Sequence, residues 1–135
     1  MGKTEIVNVA GVTGEELVLE VASHPFSIRV LEPGNLASIE GVGDDVLDCF
    51  LDVRSQLEEH GILLCCMGAR PDVWPSGMLR QFSDGRKAYL QREGVRTTED
   101  DVVDIFAPAD AADVVTVREQ REALRRRFQA MKDRR

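Results

Sequence analysis

The side chains best able to hold or transform a ligand crowd into one stretch, Gly68 to Tyr89. It carries Arg70, Asp72, Trp74, Ser76, Arg80, Gln81, Arg86 and Tyr89, among them the single Trp and single Tyr of the chain. Arginine forks match carboxylates and phosphates through two parallel hydrogen bonds, so Arg70 and Arg80 could clamp an anion. Trp74 could supply a flat apolar wall for a ring or a partner's side chain. Arg and Trp also dominate binding hot spots, because each buries a large area while making directed hydrogen bonds. Gly68 permits close backbone approach, and Pro71, Pro75 and Gly77 fix the path of the chain. These eight residues are the candidate binding surface. The alternative is structural: Trp74 caps the core, Arg70 pairs with Asp72 or another carboxylate, and Tyr89 is an ordinary strand residue.

Catalytic chemistry has less support. His24 precedes Pro25 in a turn and His60 ends a helix, so neither belongs to a metal-ligand spacing. Ser76 lies in Pro-Ser-Gly, which is not a nucleophile elbow. Cys49 and His60 fall on different faces of one helix, a poor setting for a dyad. Cys49, Cys65 and Cys66 are odd in number and irregular in spacing, as expected of buried small hydrophobes and not of a disulfide framework. The carboxylates Glu99, Asp100, Asp101 and Asp104 lack the central glycine of a calcium loop. Gly41-Val42-Gly43 runs into Asp44 and Asp45, which would occupy the helix N-terminus a phosphate needs, so a helix cap is expected there. Gly2-Lys3-Thr4 lacks the upstream glycine of a Walker loop. No cofactor and no metal is expected, and an enzyme would have to assemble its groups from distant segments.

A chain of 135 residues fits one domain, taken here as residues 1–135, that buries a core without a metal or disulfide staple. Its apolar and charged fractions, 43% and 30%, are those of a soluble globular protein. No apolar run approaches a membrane span and no secretory signal opens the chain, which points to the cytoplasm. The net charge of −7 is uneven. Residues 110–135 hold eight basic and five acidic side chains, and residues 1–109 hold nine and nineteen. So acidic a body repels phosphate chains, which argues against general nucleic-acid binding. The basic C-terminal segment is a solvated helix face, or it meets an acidic surface on another protein or on this one.

Positioning those residues requires the following elements. Ile6–Val9, Leu17–Val21 and Phe26–Leu31 read as three strands of an antiparallel meander, with Phe26, Ile28 and Val30 inward. Residues 35–43 read as a loop. Residues 44–60 form the clearest helix, with Val46, Phe50, Val53 and Leu57 at helical spacing and Gly61 as its stop. Ile62–Met67 is apolar on both alternations and predicts a central strand buried on both faces. Met78–Phe82 pairs as a hairpin or makes a short helical turn, and Arg86–Gln91 reads as a strand. Val102–Phe106 is a further strand. Asp110 then caps a helix over 111–132, with a narrow stripe of Val114, Val117, Leu124, Phe128 and Met131 interrupted by Arg121. That helix packs on the body, or forms a homodimer seam whose register Arg121 sets. The predicted class is α+β, a largely antiparallel sheet of about six strands with two packed helices, 44–60 and 111–132.

The run Gly68-Ala69-Arg70, Trp74-Pro75-Ser76-Gly77-Met78, Arg80-Gln81 and Gly85-Arg86-Lys87-Ala88-Tyr89 resembles a motif of small bacterial hypothetical proteins. Val103-Asp104-Ile105-Phe106 and Pro108-Ala109-Asp110 are similar to the same group, so the likeness spans roughly residues 62–125. It implies a bacterial origin and a shared fold, and no mechanism. The expected function is a non-enzymatic protein-binding module, of which an immunity or adaptor protein is the concrete version. Immunity proteins that neutralise basic nuclease toxins share this size and charge, and a basic partner would be drawn to the acidic body. The alternatives are a small-molecule or nucleotide sensor using Arg70, Trp74 and Arg80, and an enzyme with a dispersed site.

Overall fold

The computed structural model describes residues 2–133. Its elements form two antiparallel sheets and three α-helices, an α+β arrangement. Strands β1 (Thr4–Ala10), β2 (Glu16–Ala22), β3 (Ser27–Glu32) and β4 (Glu40–Val42) pair in sequence order. The meander follows from period-2 alternation: Leu17, Leu19, Val21, Ile28 and Val30 are buried while Arg29 between the last two is exposed. Helix α1 (Val46–Glu59) lies over this sheet and buries Val46, Cys49, Phe50, Val53 and Leu57 against it. Asp45 caps α1 by accepting from Asp48 N at 2.8 Å, so the Gly-x-Gly segment does lead into a cap.

The loop expected over 35–43 contains β4, whose three residues are too few to show an alternation. Gly41 makes that strand possible. A Cβ there would stand 2.2 Å from the carbonyl oxygen of Cys49, so only glycine lets the strand press against α1.

The second sheet comprises β5 (Val73–Trp74), β6 (Lys87–Leu90) and β7 (Val102–Asp104), again antiparallel. The strands therefore divide between two sheets where one sheet of about six was expected. Ile62–Met67 is the reason. It is not a strand buried on both faces: Ile62, Leu64 and Cys66 are buried, while Leu63, Cys65 and Met67 are half-buried. On one side Leu64 bridges Gly11, and on the other Cys66 bridges Pro108. Cys65 N donates to Ala10 O at 2.8 Å and Met67 N to Ala107 O at 2.8 Å. The segment thus runs between the chain just beyond β1 and the chain that follows β7, with one isolated bridge to each, too few for a ladder.

Helix α2 (Gly77–Phe82) resolves the Met78–Phe82 ambiguity in favour of a helical turn. The helix predicted over 111–132 starts later, as α3 (Val117–Asp133). Asp110 caps only a single 3-10 turn, Ala111–Asp113. Val114 to Thr116 stay extended because Val115 is held at both ends of its peptide: its N–H donates to Ala69 O and its carbonyl accepts from Arg54 Nη2, each at 3.0 Å. The start of α3 is then fixed by Thr116 and Glu119, which accept from one another's backbone N–H at 3.1 Å. Glu58 of α1 also accepts from Val117 N at 3.0 Å. Among the described residues no helix is long and apolar enough to cross a membrane.

Candidate functional site

The first half of α3 is anchored by a buried polar knot that the sequence pattern did not disclose. Arg54 on α1 is 2% exposed and Gln120 on α3 is 1% exposed. Arg54 Nη1 donates to Gly68 O at 3.1 Å and to the side-chain oxygen of Gln120. Gln120 Nε2 donates to the carbonyls of Gly68 and Arg70 at 2.8 and 2.9 Å. These bonds satisfy carbonyls of the segment 66–72, which has no ladder of its own to do so. The guanidinium sits among neutral oxygens, and burial lowers its basicity. An Arg four residues from Glu58 on a helix reads from sequence as a surface pair, so only the three-dimensional path of 66–73 gives it away.

The arginines of the central stretch are each matched to carboxylates of this chain. Arg70 makes a two-pronged contact with Asp72, at 2.8 and 2.7 Å, and lies 3.6 Å from Asp113. Arg80 holds Asp45 at 2.7 Å and Asp48 at 2.6 Å, locking α2 to the N-terminus of α1. Arg86 spans both sheets through Glu5 at 2.8 Å and Asp104 at 3.0 Å, and it lies over the Phe106 ring. Those partners raise the basicity of all three, with the hydrogen bond to Asp72, Asp45 or Glu5 the main cause in each. Arg70 and Arg80 therefore do not converge on a shared anion: each fork is already filled. Gln81 is exposed on α2. Ser76 uses its hydroxyl to cap α2, accepting from Leu79 N at 3.1 Å.

Asp72, Trp74, Ser76 and Tyr89 are brought together as part of one wall of an open groove of about 1190 Å³. Trp74 and Tyr89 are direct cross-strand partners on β5 and β6, so they project to the same face. Trp74 also packs on Leu47, Leu51 and Val117, which holds it in place. The opposite wall is the second half of α3, with Leu124, Arg127, Phe128 and Met131. The loop following β6 closes one side with Arg92, Val95 and Arg96. Phe128 and Met131 are 55% and 53% exposed, although they belong to the stripe expected to be buried. Arg127 ties the helix to the sheet, donating to Gln91 Oε1 at 2.9 Å and to the carbonyl of Pro71. No protein-family model matches the chain, and no curated protein is significantly similar to it.

The thiols and imidazoles that could act as nucleophile or base lie outside the groove. Burial pushes the Cys49 thiol up to about 11 and the Cys66 thiol up to about 12, so both are protonated at neutral pH. Cys65 is raised as well, again mainly by burial. His24 is exposed in the β2–β3 turn and His60 is exposed at the end of α1. Among the described residues no three His, Cys, Asp or Glu side chains gather to hold a metal ion.

The sequence pattern missed two exposed apolar groups. Met78 and Phe82, four apart on α2, are 79% and 90% exposed. Phe128 and Met131 were placed on an apolar stripe by spacing, yet that spacing gives no sign that they stay more than half exposed. Arg121, the interruption in that stripe, faces a shallow concavity shared with Asp44, Asp48 and Asp52. The basic helix thus lies beside the acidic face of its own α1.

Proposed function

We propose that this chain is a protein-binding module whose contact surface is the groove between the three-stranded sheet and the second half of α3. The observation that carries the reading is the pairing of two walls of different character. One is set on the sheet, with Trp74 and Tyr89 paired across β5 and β6 and Trp74 packed on Leu47 and Leu51. The other exposes Phe128 and Met131 on a helix whose hydrogen bonds to the body, among the described residues, come from Val117, Gln120 and Arg127. Aromatic and Met side chains presented on a fixed frame are characteristic of protein contact surfaces. The groove's volume, about 1190 Å³, exceeds the roughly 300–1,000 Å³ of small-molecule pockets. A sensor built on Arg70 and Arg80 would need its anion to displace Asp72, Asp45 and Asp48. The immunity or adaptor role remains the concrete version of this module, by analogy of size and charge.

The test is affinity capture from the native host with the intact chain and with a Phe128→Ala/Met131→Ala variant. Both positions are exposed, so the fold is expected to survive, as checked by circular dichroism. A partner retained by the intact chain and lost by the variant is the expected result. A partner retained equally by both places the contact surface elsewhere.

A further inference from the structure

The groove differs in sign from the rest of the molecule. Over residues 1–109 acidic side chains outnumber basic ones nineteen to nine, whereas α3 carries six basic and three acidic residues. Arg96 and Arg126 stand exposed on opposite sides of the groove and lie in no ion pair among the described residues. Arg127, half-buried between them, has only neutral oxygens as hydrogen-bond partners, from Gln91 and Pro71. Two carboxylates line the groove: Asp72 is already taken by the Arg70 fork, and Glu93 stands exposed on the loop after β6. A partly desolvated guanidinium without a counter-ion is a cost that an incoming anion relieves. Burial correspondingly lowers the basicity of Arg127. In a chain with seven surplus negative charges, three cations outside any described ion pair against the single free carboxylate of Glu93 around one apolar cleft mark the chemistry of what enters it.

We infer that the groove receives an acidic amphipathic segment of a partner protein, with large apolar side chains against Trp74, Tyr89, Phe128 and Met131 and Asp or Glu side chains against Arg96, Arg126 and Arg127. This rests on the protein-binding reading above and names the partner's chemistry. The mode is side-chain insertion and not strand addition, because the edge strand β5 is two residues long and is followed at once by Pro75, which has no N–H to offer. A second copy of this chain fits less well. Two α3 helices meeting along this face would bring a net +3 against a net +3.

Selection of a random 12-residue displayed peptide library on the full chain tests the inference, with each binder re-measured on Phe128→Glu/Met131→Glu and on Arg96→Glu/Arg126→Glu. The expected outcome is binders rich in Asp or Glu beside Leu, Phe or Trp. Both variants should lose them, and binding should weaken about tenfold or more from low to high salt as surface attraction is screened. Binders that depend on Phe128 and Met131 but are neutral or basic, and that survive Arg96→Glu/Arg126→Glu, overturn the acidic partner and leave the groove module standing. If no binder depends on Phe128 and Met131, the module itself falls. Sedimentation that shows a dimer abolished by Phe128→Glu/Met131→Glu overturns the inference in favour of self-association.

Discussion

The two halves of α3 have been put to opposite uses. The first half is anchored on one face: Val117 and Gln120 are buried, and Gln120 and Arg54 between them satisfy the carbonyls of Gly68, Arg70 and Val115. The second half overhangs the groove, with Phe128 and Met131 more than half exposed. One helix thus carries a polar residue inside and apolar residues outside, an inversion of the usual amphipathic pattern. The cause lies in what each half meets. The first half meets a segment without a ladder of its own, whose carbonyls need donors. The second half stands across the groove from the three-stranded sheet, joined to it through Arg127, and Phe128 and Met131 stay exposed there.

The largest effect expected from breaking this contrast is at Arg54. Arg54→Ala removes the donor to Gly68, Val115 and Gln120 and leaves a cavity, so urea denaturation should show a loss of roughly 3 kcal/mol or more. Gln120→Leu strips the donor from Arg70 and Val73, and should cost about 2 kcal/mol by the same measurement.

Next comes a pH effect from the same buried region. The folded thiols of Cys49 and Cys66 titrate near 11 and 12, above their ordinary value of 9.0. Between 9 and those values the unfolded chain loses protons that the folded chain keeps. Stability is therefore fully present below pH 9 and falls as pH rises toward 11 and 12, by up to about 1.4 kcal/mol per pH unit for each thiol. Cys66→Ala should flatten the alkaline limb of a denaturation series, and an unchanged slope would locate the titrating group elsewhere.

In the overhanging half the expected stability change is small. Phe128→Glu/Met131→Glu should leave the unfolding free energy from urea denaturation within about 0.5 kcal/mol of the intact chain while abolishing partner capture. A large drop in stability would show that this half is structural after all, and the contrast between the halves would disappear. The smallest effect is at the central stretch: Asp72→Asn weakens a partly exposed pair two residues apart, worth about 0.5 kcal/mol once solvent screening is allowed for. If Asp72→Asn also strengthens binding of an acidic peptide, freeing Arg70 has added a cation to the groove.

Much of the fold was legible because local rules governed it. The alternation of Leu17, Leu19, Val21, Ile28 and Val30 placed the meander, and Val46, Phe50, Val53 and Leu57 placed α1 within two residues. The chain also announced that Asp44 and Asp45 introduce a helix cap. What it misread were segments whose state depends on distant partners. Ile62–Met67 has the composition of a buried strand, but its backbone bonds go to Ala10 on one side and Ala107 on the other. Residues 111–116 follow a good cap signal at Asp110, but Val115 is pulled straight by Ala69 and Arg54. Of the eight candidate surface residues, spacing showed which could bind but not which were already paired. Arg70, Arg80 and Arg86 found carboxylates at Asp72, Asp45 and Glu5, two of them far away in sequence.

The sequence by itself determined the α+β class, the uneven charge and the concentration of Trp, Tyr and Arg between Gly68 and Tyr89, because periodicity, composition and capping act within a few residues. The tertiary structure alone decided that the strands split into two sheets, that Arg54 and Gln120 go inside, and that Phe128 and Met131 face an open groove. A side chain's burial and its ion-pair partner are set by where the chain's other segments pass, and those meetings are separated by tens of residues in sequence.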